Sequence, residues 1–325
     1  MRCIACDFGG SSVKYALVDH AAILTEKGET DAPLQSREAF VDTVAKLYER
    51  FGNRVDGIAV SLPGLIDAKT GMHHGSGVYA PILRGHNVIQ LLQERCPTRI
   101  TVENDGKCGA LAEAWNGALS DVRTGAVLVL GTAIGGGIIL NGDVQRGCCF
   151  SAGEFSFAVT GGDDYSMLNE AWMNVGVIGL TYKVCKYKNL DLSCQDAAPM
   201  LLRYDGLFRD RFPSPEGKPA PVKADGRQIF RWLDEGDADT WRAYREFLHS
   251  LTILIHNIQV CVAPDRIALG GGLSREGRLL SDLAAEQEVF YERAMVPPSL
   301  RSHITTSRYL RDCNLIGAAY HFMRT

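Results

Sequence analysis

No stretch of this 325-residue chain approaches the ~20 consecutive apolar residues that a bilayer-spanning helix needs. The opening MRCIACDFGG is too short for the apolar core of a signal peptide and is broken at once by Asp7 and two glycines. Both absences predict a cytoplasmic protein. Basic residues are scattered and the net charge is −4 at pH 7, so the electrostatic footprint of a nucleic-acid or anionic-membrane binder is missing. A small-molecule partner is expected instead. The chain has no Gly-Lys-Ser/Thr of a Walker loop and no G-x-G-x-x-G opening a helix. Its ten cysteines include no Cys-x-x-Cys with a second pair in range, and in a reducing compartment most of them read as small core residues.

What is present is globular: 46% hydrophobic and 22% charged residues, at a length that predicts two domains. Residues 3–6 are apolar, DFGGSS intervenes, and Val13 to Val18 resume, which outlines two strands joined by a glycine turn. Ser36 is placed to cap a helix carrying Phe40, Val44, Leu47 and Phe51, with Gly52 as its stop. Val55 to Val60 is the next strand, the turn-rich SLPGLID follows, and Asn87 caps a short helix through Arg95. Ile100 to Val102 forms a further buried strand, after which ENDGKCGALAEAW carries the chain into a helix.

From Gly125 the opening pattern repeats: AVLVLG as strand, TAIGGG as glycine turn, IILNGDV as a second strand, suggesting an internal duplication. Residues 165–203 read as mostly helical and 211–226 as an exposed loop rich in Pro, Gly and charge. A long amphipathic helix runs from about Asp239 to Val262, stopped by Pro264. Strand IALGGG, a helix from Arg275 and a final helix over Asp312 to Met323 complete an α/β pattern in two related halves.

Three glycine turns stand at strand ends: Gly9–Gly10, Gly131 through Gly137 with Gly136 inside it, and Gly270–Gly272. Glycine lets backbone N–H groups approach phosphate oxygens closely, so several such turns on one cleft suit a nucleotide triphosphate, although each alone is equally a plain tight turn. Ser11, Ser12 and Thr132 add hydroxyl donors; Lys14 is either a phosphate partner or a solvated face. Asp7 is poor strand material beside Gly9, and reads either as a turn cap or as a ligand, through water, for the Mg²⁺ that accompanies ATP. Asp105 sits where a strand yields to a helix, where open α/β sheets bind ligands. As an N-cap it would also be held ionised by the helix end, as a general base must be, and Asn104 could orient the same substrate.

Taken in order, DFGGSSVKYALVD, SLPGLID, ENDGKCGALAEAW, LGTAIGGGIILNGDVQRG, GEFSF and IALGGGLS resemble the ROK family, named for repressors, open reading frames and sugar kinases, within the actin-like ATPase superfamily. The resemblance runs almost end to end. It implies an α/β fold of two actin-like (ribonuclease H-like) domains with an interdomain cleft, 1–116 joined by the C-terminal helix 307–325, and 117–306. It implies an ATP- and Mg²⁺-dependent sugar kinase, acting on O6 of a hexose, hexosamine or β-glucoside, and a homodimer. Asp105 is then the base; Asn104, Glu154, Glu170 and Gly64 meet the sugar; Gly9, Gly10, Ser11, Ser12, Lys14, Gly131, Thr132, Gly136, Gly271 and Gly272 meet the nucleotide; Asp7 holds Mg²⁺ through water.

Phe157 stands where the family usually has a histidine that touches sugar and ligates zinc, and TGGDDYSMLNEAW lacks the family's cysteines, so no zinc is expected and a substituted sugar is favoured. Two rivals are weighed. A sugar-responsive regulator of the same family would carry a DNA-reading helix-turn-helix before a first strand that here begins at about residue 3. A catalytically inactive sugar sensor, or an actin-like filament subunit, is opposed by Asp7, Asp105 and the glycine turns in the first case and by Glu154 and Glu170 in the second.

Overall fold

The computed structural model describes residues 1–162, 164, 166–208 and 217–325. β1 (Arg2–Phe8) is buried at every residue but the first, a pattern that requires layers on both faces of the strand. It occupies the centre of a five-stranded sheet ordered β3-β2-β1-β4-β7. β2 (Ser12–Asp19) returns antiparallel through the glycine turn as a hairpin, and β3 (Leu24–Asp31) adds an outer antiparallel strand. The polar β3 was not anticipated: LTEKGETD is exposed along most of its length, as an outer strand can be.

Helix α1 (Arg37–Phe51) follows, and the Ser36 hydroxyl accepts from the Ala39 amide at 3.1 Å as expected. β4 (Gly57–Leu62) runs parallel to β1. The segment after it folds into a small hairpin, β5 (Leu65–Asp67) with β6 (Met72–Gly75), and the short α2 (Ala80–Leu83). Asn87 caps α3 (Val88–Gln93), which is shorter than its periodicity suggested. β7 (Arg99–Asn104), parallel to β4, passes directly into α4 (Asp105–Asn116).

The second half repeats this order. β8 (Thr124–Leu130) and β9 (Ile134–Leu140) form the central hairpin of a sheet ordered β10-β9-β8-β11-β12. IILNGDV is not one strand. Asn141 and Gly142 adopt φ of 53° and 75°, the two left-handed positions of a tight hairpin turn, and the chain reverses into β10 (Asp143–Val144). A helical layer then covers one face: α5 (Ala171–Asn174), α6 (Val177–Lys188), α7 (Ala198–Phe208), α8 (Gly226–Asp234) and α9 (Ala238–Val262). The loop expected over 211–226 falls, in its part 211–216, outside the described residues. β11 (Arg266–Gly271) and β12 (Ile304–Thr306) lie parallel to β8, with α10 (Leu279–Arg293) between them in sequence.

The final helix α11 (Cys313–Arg324) buries Leu315, Ala318 and Phe322 against Cys3, Ala5 and Ala59 of the first sheet. α4 buries Ala110 and Leu111 against Val127 and Ile139 of the second. The two helices pack on each other so closely that a Cβ on Gly317 would overlap the Cys108 carbonyl. One helix pair thus couples the two sheets.

Candidate active site

In the first sheet the parallel register aligns Asp7 of β1 with Ser61 of β4 and Ser61 with Glu103 of β7. The strands therefore end together, and the segments leaving them, Gly9–Ser11, Pro63–Gly64 and Asn104–Asp105, share one edge. That edge, outside the carboxyl ends of parallel strands, is where α/β sheets gather ligands. In the second sheet Gly271 pairs with Leu130, which sets the turn after β8 beside the turn after β11.

Asp7 is buried and accepts from Ser61 Oγ at 2.9 Å and Asn314 Nδ2 at 3.0 Å, both on Oδ1. Burial raises its pKa, opposed by the Asn314 bond, Lys14 opposite it in the hairpin, and the Ser61 bond. Oδ2 carries none of these bonds, so a hard carboxylate oxygen remains for a hydrated cation, and the donor type fits Mg²⁺.

The cap of α4 is Asn104 rather than Asp105: its Oδ1 accepts from the Lys107 amide at 2.9 Å, and its Nδ2 reaches the Gly64 carbonyl at 3.0 Å and Asp105 Oδ1 at 3.1 Å. Gly64 has φ of 127°, and a Cβ there would come within 2.6 Å of the His73 ring, so its place in the site is to present a carbonyl that fixes Asn104. Asp105 takes the first helical position and accepts from the Gly106 amide at 2.9 Å. The helix end does not keep it ionised in the ordinary range. Desolvation, then Glu154 and Asp7, push its pKa up to about 7, against the Gly106 bond and Lys107. A carboxylate poised there is matched to proton abstraction near neutrality.

Glu154 lies beside it. The buried Lys107 donates to Glu154 Oε1 at 2.6 Å. Burial raises the Glu154 pKa, Lys107 opposes that by charge and hydrogen bond, and Glu103 adds to it. Glu103, fully buried one residue before Asn104, accepts from the Asn104 amide at 2.9 Å and pairs with Arg146 at 2.7 Å. Lys107, Glu103, Arg146, Ser61 and Asn314 were not singled out from the sequence. A lysine inside the otherwise small and apolar GKCGALA was the one legible signal among them.

Glu170 is held differently, accepting from the Trp172 indole at 2.8 Å and bridging Val159 across a short antiparallel contact. Nothing bonds it to Asp105 or Glu154 among the described residues. In both hairpin turns the first glycine closes the turn itself: Gly9 N–H donates to Ser12 O at 2.9 Å, and Gly131 N–H to Ala133 O at 3.0 Å. Gly10, Ser11 and Thr132 stand exposed beyond them. The Ser12 hydroxyl, expected at phosphate, donates to the Glu29 carboxylate of β3. Gly136 is likewise not at a turn. It is buried within β9, where a Cβ would strike the Val127 carbonyl and the Phe155 ring, and it lets the first turn of α4 approach through Gly106. Gly271, with φ of 88°, is pressed against Leu130, whereas Gly272 is open. Phe157 is 54% exposed.

Two α/β sheets of this order, each with a glycine-turn hairpin and the first with carboxylates at its strand ends, make up the fold of the actin-like superfamily. The family model for the ROK family matches residues 3–159 and 209–324, and the chain belongs to that family. It is 28% identical to a beta-glucoside kinase of Listeria monocytogenes over 100% of this chain and 98% of that protein. Among solved structures it is similar to a candidate N-acetylmannosamine kinase from Listeria monocytogenes, with 25% identity, TM-score 0.80, and 100% and 99% of the two chains covered. It shares its fold with a ROK glucokinase from Streptomyces griseus solved with glucose and AMPPNP, at 20% identity, TM-score 0.75 and 98% coverage of each chain. No helix among the described residues is long and apolar enough to cross a membrane.

Proposed function

We propose that this protein transfers the γ-phosphoryl group of ATP to a sugar hydroxyl, with Asp105 as general base. The observation that carries the reading is Asp105 itself: fixed by Gly106 and Asn104 at the start of α4, at the common end of the parallel strands, with a pKa of about 7. Such a group accepts the hydroxyl proton as the oxygen attacks phosphorus, and phosphoryl transfer otherwise asks mainly for alignment and charge stabilisation.

Asn104 and Glu154 orient the sugar by hydrogen bonds, a role Lys107 supports by keeping Glu154 an acceptor. Glu170 takes a further hydroxyl once the cleft closes. Gly10, Ser11 and Thr132, with Gly272, approach the nucleotide phosphates. Asp7 would hold Mg²⁺ through water, and the ion would neutralise charge on the phosphates. Lys14 acts by opposing the upward shift that burial imposes on the Asp7 carboxyl.

The substrate is best sought among hexoses modified near the anomeric end, β-glucosides or N-acylated hexosamines, phosphorylated at O6. The similarity to a beta-glucoside kinase and the apolar, exposed Phe157 three residues after Glu154 support this choice. Residues 1–116 with 307–325, and 117–306, are proposed as the two domains that close on the sugar, in a cytoplasmic homodimer. A panel of monosaccharides and β-glucosides assayed for ADP release tests the proposal. Asp105→Asn should retain nucleotide binding and lose transfer; near-normal turnover in that variant removes Asp105 from the mechanism.

A further inference from the structure

Of the ten cysteines, six are buried, and Cys148 and Cys149 are exposed side by side with their Sγ atoms 3.6 Å apart. We propose that these two thiols form a bidentate site for a thiophilic trivalent centre, specifically an organic arsenic(III) group. The site is distinct from the phosphoryl-transfer machinery, and the proposal stands whether or not the kinase reading does.

Three features select this ligand. Adjacent Cα atoms are held about 3.8 Å apart by a trans peptide, below the roughly 4.4–6.8 Å usual for a disulfide, so direct S–S closure is strained. An atom bonded between the sulfurs relieves that. At an S–M bond of about 2.3 Å, sulfurs 3.6 Å apart subtend roughly 100° at a shared centre, an angle compatible with a pyramidal or tetrahedral atom. The number of donors then separates the candidates. No group of three or more His, Cys, Asp or Glu placed to hold a metal occurs among the described residues, so a tetrahedral zinc would lack protein ligands, whereas an arsenic that already carries one carbon substituent needs only two sulfurs.

The loop holds the pair ready. The Ala152 amide closes on the Arg146 carbonyl at 3.2 Å, Gly147 and Phe150 take φ of 69° and 61°, Arg146 is anchored on Glu103, and Phe150 stacks on His74 with ring centroids 5.0 Å apart. Both sulfurs therefore start near the geometry they need, and the second S–As bond forms intramolecularly, which multiplies retention by a factor on the order of 10²–10⁴. In the reaction with phenylarsine oxide each thiol gives up its proton and two S–As bonds form. The oxygen leaves as water carrying both protons. Arsenic stays trivalent, so no oxidant is required.

The test uses the full-length protein and one equivalent of phenylarsine oxide, read by mass spectrometry with peptide mapping. One adduct per chain should bridge Cys148 and Cys149, survive excess glutathione, and be removed by a dithiol such as 2,3-dimercaptopropanol. Cys148→Ser and Cys149→Ser should each lose retention against glutathione on the order of 100-fold. Cys261→Ser, which removes an exposed single thiol, should retain the adduct. A wild-type adduct displaced by glutathione, or one retained in both loop variants, overturns the proposal. Both cysteine side chains are exposed, and circular dichroism of each variant confirms that a lost adduct does not reflect a lost fold.

Discussion

Lys107 and Glu154 meet as an ion pair at 2.6 Å in which the lysine side chain is all but sealed from solvent while the carboxylate keeps 18% of its surface. The pair ties the first turn of α4 to the segment that follows the second sheet's hairpin. Replacing Lys107 by Met leaves a mostly buried carboxylate without its cation, which costs about 3 kcal/mol when the remaining charge is desolvated. Urea unfolding of Lys107→Met at pH 7.5 should show that loss. It should shrink as pH falls and Glu154 takes a proton; a pH-independent loss would assign the lysine to packing alone.

With Asp105 as the proposed base, the rate of transfer should rise with pH through about 7, because a base acts deprotonated and the pKa of this carboxyl is pushed up to about 7. Substrate-saturated rates measured from pH 5.5 to 8.5 check this. In Lys107→Met the midpoint should move to higher pH, because the cation that lowers the Asp105 pKa is gone. A midpoint near 4 in the wild type would contradict the environment described for this carboxylate.

Asp105 also costs stability. Its folded pKa lies above its unfolded one, so between about pH 4 and 7 the native state binds a proton that the unfolded chain has released, and stability falls as pH rises through that window. Asp105→Asn removes the effect. The variant should be more stable than wild type at pH 8 by on the order of 2–4 kcal/mol and nearly equal to it at pH 3.5. Denaturant melts at the two pH values measure the difference, and equal stability at pH 8 would refute it.

Glu113, fully buried at the far end of α4, accepts from Ala118 N at 2.7 Å, Arg308 N and Tyr309 N at 3.0 Å each, and the Ser307 hydroxyl. Those donors lie on the two chain segments that pass between the sheets, 117–123 and 307–312, so one carboxylate holds both crossings. Glu113→Gln turns an amide toward groups that themselves donate. A loss of about 2–4 kcal/mol is expected from urea unfolding, with faster hydrogen exchange at Ala118, Arg308 and Tyr309.

Gly317 has no room for a side chain against Cys108. Gly317→Ala should separate α11 from α4 and lower stability by about 1–3 kcal/mol or more. Thermal melting detects it, and an unchanged Tm would mean that the helix pair is not rigid.

The alternating fold pattern was readable because strands and helices impose their own periods: the GG hairpins, the duplicated order, α1 and α9 follow from apolar spacing and caps. β3 escaped because an exposed outer strand needs no apolar face. α8 escaped because Ile229, Phe230 and Leu233 follow directly on a Pro/Gly-rich stretch that reads as loop. IILNGDV was read through its own turn although Asn-Gly between apolar runs is itself a reversal signal, and the left-handed φ values at 141 and 142 are those of that turn.

Within the site, Asn104, Asp105 and Asp7 could be named from their places at strand ends, where α/β sheets gather ligands, although capping alone accounts for a short polar residue there, as it does for Asn104. Their partners could not. Ser61 and Asn314 are 54 and 307 residues from Asp7, and only strand register and the docking of α11 bring them to it. The chemistry of a group is written in its residue type; its ionisation is not. Local order along the chain dictates which carboxylates stand at the ends of strands, but how far each is desolvated, and by which neighbours it is opposed, depends on distances across the fold that no stretch of residues contains.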